Sequence, residues 1–154
     1  MTDAVVAQLR INQLGYLAPV LRRRAQSLTE MMTARGHDVR IFETLRLPAL
    51  QQEYFRRGTS RQKDVLRSAH GHGLGFDFLP VVKGAITWTL SADWKADVLE
   101  CAKACDLKCG GEWKSLVDWP HFQPIEYPGV VPSVWIEAFN RGGLHEVWTV
   151  AKMC

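Results

Sequence analysis

The chain has 154 residues, 47% hydrophobic and 23% charged, which suits one globular domain with its own core and excludes a disordered or low-complexity protein. Its formal charge of +3 is mild and its Lys and Arg are scattered, which argues against a nucleic-acid partner. No stretch approaches the ~18 apolar residues of a membrane span, and the N-terminus lacks the basic and apolar regions of a secretory signal, so cytoplasmic synthesis and no membrane partner are expected.

In chain order, residues 17–35 carry Leu17, Val20, Leu21, Leu28, Met31 and Met32 at roughly helical spacing, with Pro19 suited to the first turn and Gly36 to the stop. Arg22-Arg23-Arg24 lies in this segment and reads as a solvated face. Val39, Ile41 and Phe42 predict a short strand. Residues 48–57 predict a second helix between Pro48 and Gly58, and 59–70 a polar loop. Phe76 to Pro80 reads as a strand, with Ala85 to Leu90 pairing to it across Lys83-Gly84. Ser91 is a good N-cap for a third helix running to about Leu107, with Trp94, Val98, Cys101 and Cys105 facing inward. Residues 120–123 are extended, because Trp119 precedes a proline. A short last helix is expected over 132–140. The mixture of helices and strands without regular alternation predicts an α+β fold. Cys101, Cys105, Cys109 and Cys154 lack zinc-finger spacing and read as free thiols packed as small hydrophobes.

Two segments carry chemistry: Ser68-Ala69-His70-Gly71-His72-Gly73-Leu74-Gly75-Phe76-Asp77, and Asp118-Trp119-Pro120-His121-Phe122-Gln123. Each alone also fits an ordinary turn. Together they supply two imidazoles and a carboxylate, the ligand set of a catalytic zinc site with an open fourth position. In a continuous strand His70 and Asp77, seven apart, would face opposite sides. Gly71, Gly73 and Gly75 allow the backbone to turn so that both converge. The residues by themselves leave the turn and the metal readings open.

The first segment resembles the Ser-x-His-x-x-Gly-x-Ala-x-Asp motif, and the second the Asp/Glu-x-x-His motif, of the zinc peptidases that include D-alanyl-D-alanine carboxypeptidases and dipeptidases and L-alanyl-D-glutamate endopeptidases. The run Gly110-Gly111-Glu112-Trp113-Lys114 through Gln123 is most similar to the endolysin-type L-alanyl-D-glutamate branch, and the upstream stretch of Thr44-Leu45-Arg46 with Gln51, Gln52 and Arg57-Gly58-Thr59 also resembles it. The similarity spans about residues 17–124, with 125–154 expected to pack on that core as an extension of the same domain. It implies a small antiparallel sheet flanked by helices, one Zn2+ per chain held by His70, Asp77 and His121, and Asp118 as the catalytic carboxylate. It also implies Arg46 as a catalytic arginine facing substrate or the developing oxyanion, and Ser68 and Gln51 at the substrate. The implied partner is bacterial peptidoglycan, cut between L-Ala and D-Glu of the stem peptide by a monomeric phage or prophage endolysin that reaches the wall after release.

A D-Ala-D-Ala carboxypeptidase of the same family is the alternative, as is a non-catalytic zinc module of the Hedgehog kind, against which the carboxylate at Asp118 argues. Some positions depart from the pattern. Gly75 stands where Ala is usual, read as a tolerated loss of one methyl, and Lys108-Cys109 depart at what is expected to be the pocket. His72 is expected in a loop near the cleft, and His37 and His145 at the surface. Glu112, a rival base, falls outside the matching position.

Overall fold

The computed structural model describes residues 1–154. Its elements run α1 (Asp3–Leu9), α2 (Pro19–Ala34), β1 (Val39–Glu43), α3 (Pro48–Arg56), β2 (Phe76–Val82), β3 (Ala85–Ile86), α4 (Ala92–Ala104), β4 (Leu107–Gly110), β5 (Asp118–Pro124) and α5 (Ser133–Val150). Short 3-10 turns at Val65–Arg67 and Ala69–His72 lie between α3 and β2. The strands form an antiparallel sheet in the order β1-β2-β5-β4, with β3 paired to β2. The class expected from the sequence, α+β with a small antiparallel sheet flanked by helices, is the one observed.

Each face of the sheet follows from alternation along the strands. Phe76, Phe78 and Phe122 point to the core, where Phe76 and Phe122 stack at 5.6 Å and Phe78 meets Phe122 edge-on at 5.9 Å. Asp77 and His121, their neighbours, point the other way. Helices α2 and α4 cover the core face. Leu21, Ala25, Leu28 and Met32 form the buried stripe of α2, and Trp94, Val98, Cys101 and Ala102 that of α4. Each large apolar side chain so buried stabilises the fold by about 1.5–3 kcal/mol. Ser91 caps α4 as expected, its hydroxyl accepting from the Trp94 amide at 3.1 Å. The cysteines are free, three of them buried.

Several expectations are corrected. The helix α4 stops at Ala104, because Asp106 takes a positive φ of 54° and reverses the chain; Leu107 opens the strand β4 instead of closing the helix. Cys109 therefore sits on β4 opposite Phe122, buried, and neither it nor Lys108 lines the cleft. Only Ala85 and Ile86 of the 85–90 segment pair with β2. The last helix extends to Val150, broken internally at Gly143 (φ 68°, ψ −154°), and buries Trp135, Ala138 and Val147 in the same core as α2 and α4. The helix α1 was not expected; it has a single buried residue, Val6, and so no readable stripe.

Candidate metal centre and cleft

The sheet sets three acidic and imidazole groups in one row. Across β1 and β2, Glu43 pairs with Asp77; across β2 and β5, Asp77 pairs with His121. Paired residues share a face, so all three project to the side opposite the phenylalanine core. His70 arrives from the 3-10 turn Ala69–His72. That turn ends on Gly73 at φ 64°, where a Cβ would lie 2.3 Å from the Tyr16 carbonyl oxygen, so only glycine fits. The reversal there lets His70 and Asp77 converge.

The convergence is close. His70 Nε2 lies 3.2 Å from Asp77 Oδ1, His121 Nδ1 lies 3.5 Å from the same oxygen, and the two nitrogens are 3.1 Å apart. Ligands bound tetrahedrally at about 2.0–2.1 Å from an ion are about 3.3 Å from one another, so this triangle has the edges of one face of such a site. Partners on the far side of each ring set the tautomers. His70 Nδ1–H donates to the Thr44 carbonyl at 2.8 Å, and His121 Nε2–H donates to Gln123 Oε1 at 3.0 Å. Each imidazole thus turns a lone pair toward the other and toward a carboxylate, an arrangement that calls for a cation. The electrostatics agree. Against burial, which would raise it, the imidazoles hold the Asp77 carboxyl well below the usual range; burial works against His121 too, yet Asp77 pushes its imidazole up. His70, Asp77 and His121 are a group able to hold a metal ion.

These residues line an open cleft of about 1090 Å³. Asp118 lines it as well. Residues three apart on a regular strand face opposite sides, but the β4–β5 ladder slips between the pairs Cys109–Phe122 and Gly110–Asp118, and this irregularity brings Asp118 round to the side of His121. The cleft walls partly desolvate the Asp118 carboxyl and raise it above its ordinary value, with the Asp77 charge adding to the effect. Trp113 packs its ring 5.3 Å from that of His121. Ser68 is half-buried at the cleft wall, whereas Glu112 is exposed and outside the cleft.

Arg46 is more constrained than its sequence position suggested. Its Nε and Nη2 donate to the two oxygens of buried Glu43 at 2.8 and 3.0 Å, and Nη1 donates to Gln51 Oε1 at 3.1 Å. Nη2 stands 3.8 Å from Asp77, and the guanidinium lies over the Tyr54 ring at 4.8 Å. Gln51 is fully buried behind Arg46 and does not line the cleft; its amide donates to the Ser60 hydroxyl at 2.9 Å and to the Gln62 carbonyl. Glu43 and Tyr54 are missing from the sequence reading, and Thr44 and Gln123 stand there only within the matching runs, with no role assigned. The available signal was Glu43 standing three residues before Arg46 at the end of a strand.

His72 is not a cleft residue. It is fully buried, donates Nε2–H to the Leu66 carbonyl at 2.7 Å, and is edged by Trp135 and Phe139 of α5. His145 is exposed; His37 is half-buried and pairs with Asp97 at 2.7 Å.

Comparison with known proteins places the chain in a family. A family model described as D-alanyl-D-alanine carboxypeptidase matches residues 61–124, the span holding both motifs. The chain is 30% identical over 124 residues to the peptidoglycan L-alanyl-D-glutamate endopeptidase CwlK of Bacillus subtilis (strain 168), covering 71% of this chain and 74% of that protein. It is 30% identical over 112 residues to the L-alanyl-D-glutamate peptidase of Escherichia phage T5, covering 70% of this chain and 80% of that one. The crystal structure of the Serratia marcescens L-Ala D-Glu endopeptidase ChiX superposes with a TM-score of 0.55 at 29% identity, covering 77% of this chain and 92% of that one. The chain belongs to the metallopeptidase family of D-alanyl-D-alanine carboxypeptidases and L-alanyl-D-glutamate endopeptidases.

Proposed function

We propose that this chain is a zinc endopeptidase that hydrolyses the bond between L-Ala and D-Glu in peptidoglycan stem peptides. The observation that carries the reading is the triangle of His70, Asp77 and His121 with Asp118 in the same cleft, in a chain whose relatives are named for that bond. The two nitrogens and one oxygen suit zinc, which accepts both donor types in a tetrahedral site. When bound, zinc lowers the pKa of a coordinated water toward ~7 and polarises a carbonyl.

The protein groups then have defined tasks. Asp118 accepts the proton of the attacking water and returns it to the leaving amine nitrogen, a role typically worth ~10²–10⁴ in rate. Arg46 has only one N–H left on each Nη after Glu43 and Gln51 are served. Ion-paired with Glu43, it suits a hydrogen bond to the oxygen that gains charge as the carbonyl is attacked. Glu43 and Gln51 act by holding that guanidinium still. Ser68 faces the substrate from the wall. Residues 125–154 serve as a packed extension of a single catalytic domain. Relatives from a phage and a bacterium alike support a wall-lytic enzyme, and we place this chain with the endolysins, acting as a monomer on the wall after release.

A D-Ala-D-Ala carboxypeptidase is the second reading, favoured by the description of the matching family model. Digestion of purified peptidoglycan separates the two. New N-terminal D-Glu with L-Ala left on the glycan supports the proposal; release of free D-Ala alone replaces it. A folded, metal-loaded protein that hydrolyses neither bond leaves the non-catalytic module.

A further inference from the structure

The cleft holds a second guanidinium that no acidic side chain neutralises. Arg10 follows directly on α1, and its head lies over the Phe42 ring at 4.0 Å. Its Nη2 donates to the Tyr54 hydroxyl at 3.5 Å, the same tyrosine whose ring lies under Arg46. Nε is buried with no hydrogen-bond partner, and Nη1 has none within the protein. Arg10 makes no ion pair, whereas Arg46 is ion-paired with Glu43. A half-buried guanidinium with unmet donors, facing an open cleft, is a place where an anion gains most, because little water competes for it. The other cations of the cleft, Arg61, Arg67 and Lys114, are exposed and screened by solvent.

The position of Arg10 is also fixed. The Thr44 amide donates to the Ile11 carbonyl at 2.7 Å, and the Thr44 hydroxyl lies 3.1 Å from that oxygen and 3.2 Å from the Gln13 carbonyl. The Thr44 carbonyl in turn holds His70. The segment that carries Arg10 is therefore hydrogen-bonded to the residue that orients a metal donor.

We infer that Arg10 is the specificity residue that takes a carboxylate of the stem peptide, since its charge is unpaired whereas that of its neighbour Arg46 is already met by Glu43. The inference rests on the proposed function. Two carboxylates share this chemistry: the free α-carboxylate of D-Glu beside the scissile bond, and one on the following residue.

The experiment measures kcat and KM on a synthetic stem tripeptide and on two relatives, one with the D-Glu α-carboxylate as a carboxamide and one with the third residue's carboxylate amidated. For the native enzyme, amidation of the carboxylate that Arg10 takes is expected to raise KM about 10–100-fold, the cost of a charge-assisted pair, with kcat little changed. The peptide affected identifies the source. Arg10→Gln is expected to show that rise on the parent peptide and no further rise on the amide. Arg10→Lys, which keeps the charge without the fork, is expected to fall between, and it serves as the test if Arg10→Gln does not fold. The inference is overturned if the native enzyme cleaves all three peptides with equal KM, or if a folded Arg10 variant keeps the native discrimination. A native enzyme that cleaves none of them removes the proposed function, and the role of Arg10 with it.

Discussion

At the scale of single residues, the site depends on atoms placed within tenths of an ångström, and two substitutions test that. Asp118→Asn keeps the shape of the side chain and removes its basicity. It is expected to retain the metal and the fold and to lose ~10²–10⁴ in rate. The carboxyl of Asp118 is raised by partial burial and by Asp77, so its base form disappears as pH falls through a value above the ordinary one. In the metal-loaded enzyme the cation opposes that rise, so the acid limb of kcat/KM is read by comparison: a limb of the native enzyme that is missing from the residual activity of folded, metal-loaded Asp118→Asn assigns it to Asp118, and one that persists assigns it to another group. Gly75 offers a sharper case. The absence of a methyl here fits the space around this glycine. A Cβ there would lie 2.8 Å from Ala69 Cβ and 2.9 Å from His121 Cε1. Gly75→Ala is expected to push the His121 ring off its line to Asp77 and to weaken zinc about 10–100-fold, the usual scale for a disturbed ligand orientation. Ala69→Gly removes the opposing methyl, so the double variant should recover part of the loss. A zinc affinity unchanged in Gly75→Ala would show that the ring does not feel this contact, and strict additivity in the pair would show that Ala69 takes no part in it.

At the scale of elements, the site stands on the face of the sheet opposite α2 and α4, and α5 supports the turn that carries His70. The Trp148 indole donates to the His72 carbonyl at 2.8 Å, while Trp135 and Phe139 edge the His72 ring. Trp135→Ala is expected to cost about 3–5 kcal/mol by opening a cavity in this packing. Denaturant titration reads it directly, and a loss under 1 kcal/mol would mean that α5 is only loosely attached. Legibility follows the same division. Helix α2 was readable because Leu21, Leu28 and Met32 repeat at helical spacing, and α4 because Ser91 announces it. Strand β4 was not, since it has four residues and its start depends on the reversal at Asp106, a non-glycine with positive φ that no local pattern marks. The end of α5 was hidden by Gly142-Gly143, which reads as a stop although the chain resumes its helix beyond. The donor triad was legible as residue types at motif spacing. The row of Glu43, Asp77 and His121 was not, because register across three strands is a tertiary fact, and neither Arg10 nor the tie from Thr44 to His70 leaves a local signal. His72 was misplaced for the same reason, its burial coming from α5, more than sixty residues away.

At the scale of the whole molecule, the three donors join parts of the chain that are distant in sequence. His70 comes from a 3-10 turn, Asp77 from β2 and His121 from β5, so an ion bound there would link the loop layer to two strands. Without a cation, two imidazole lone pairs and a carboxylate face one another across 3.1 to 3.5 Å, and that crowding opposes the folded state. An ion that binds the folded chain and not the unfolded one stabilises it by mass action, by about 2.7 kcal/mol at a free concentration 100 times its Kd. For a domain of this length such a gain raises Tm by roughly 5–10 °C. Thermal melts with excess chelator and with added zinc are therefore expected to differ by that amount, and His70→Ala, which lacks one corner of the triangle, should melt at one temperature in both. Acid should mimic the chelator, because the imidazoles must lose their protons to bind an ion and regain them as pH falls. The zinc-dependent part of Tm is then present near neutral pH and shrinks on acidification, while in His70→Ala that part is missing at every pH. A native protein whose Tm ignores both chelator and zinc, with no metal found by elemental analysis, would separate this cleft from metal chemistry altogether.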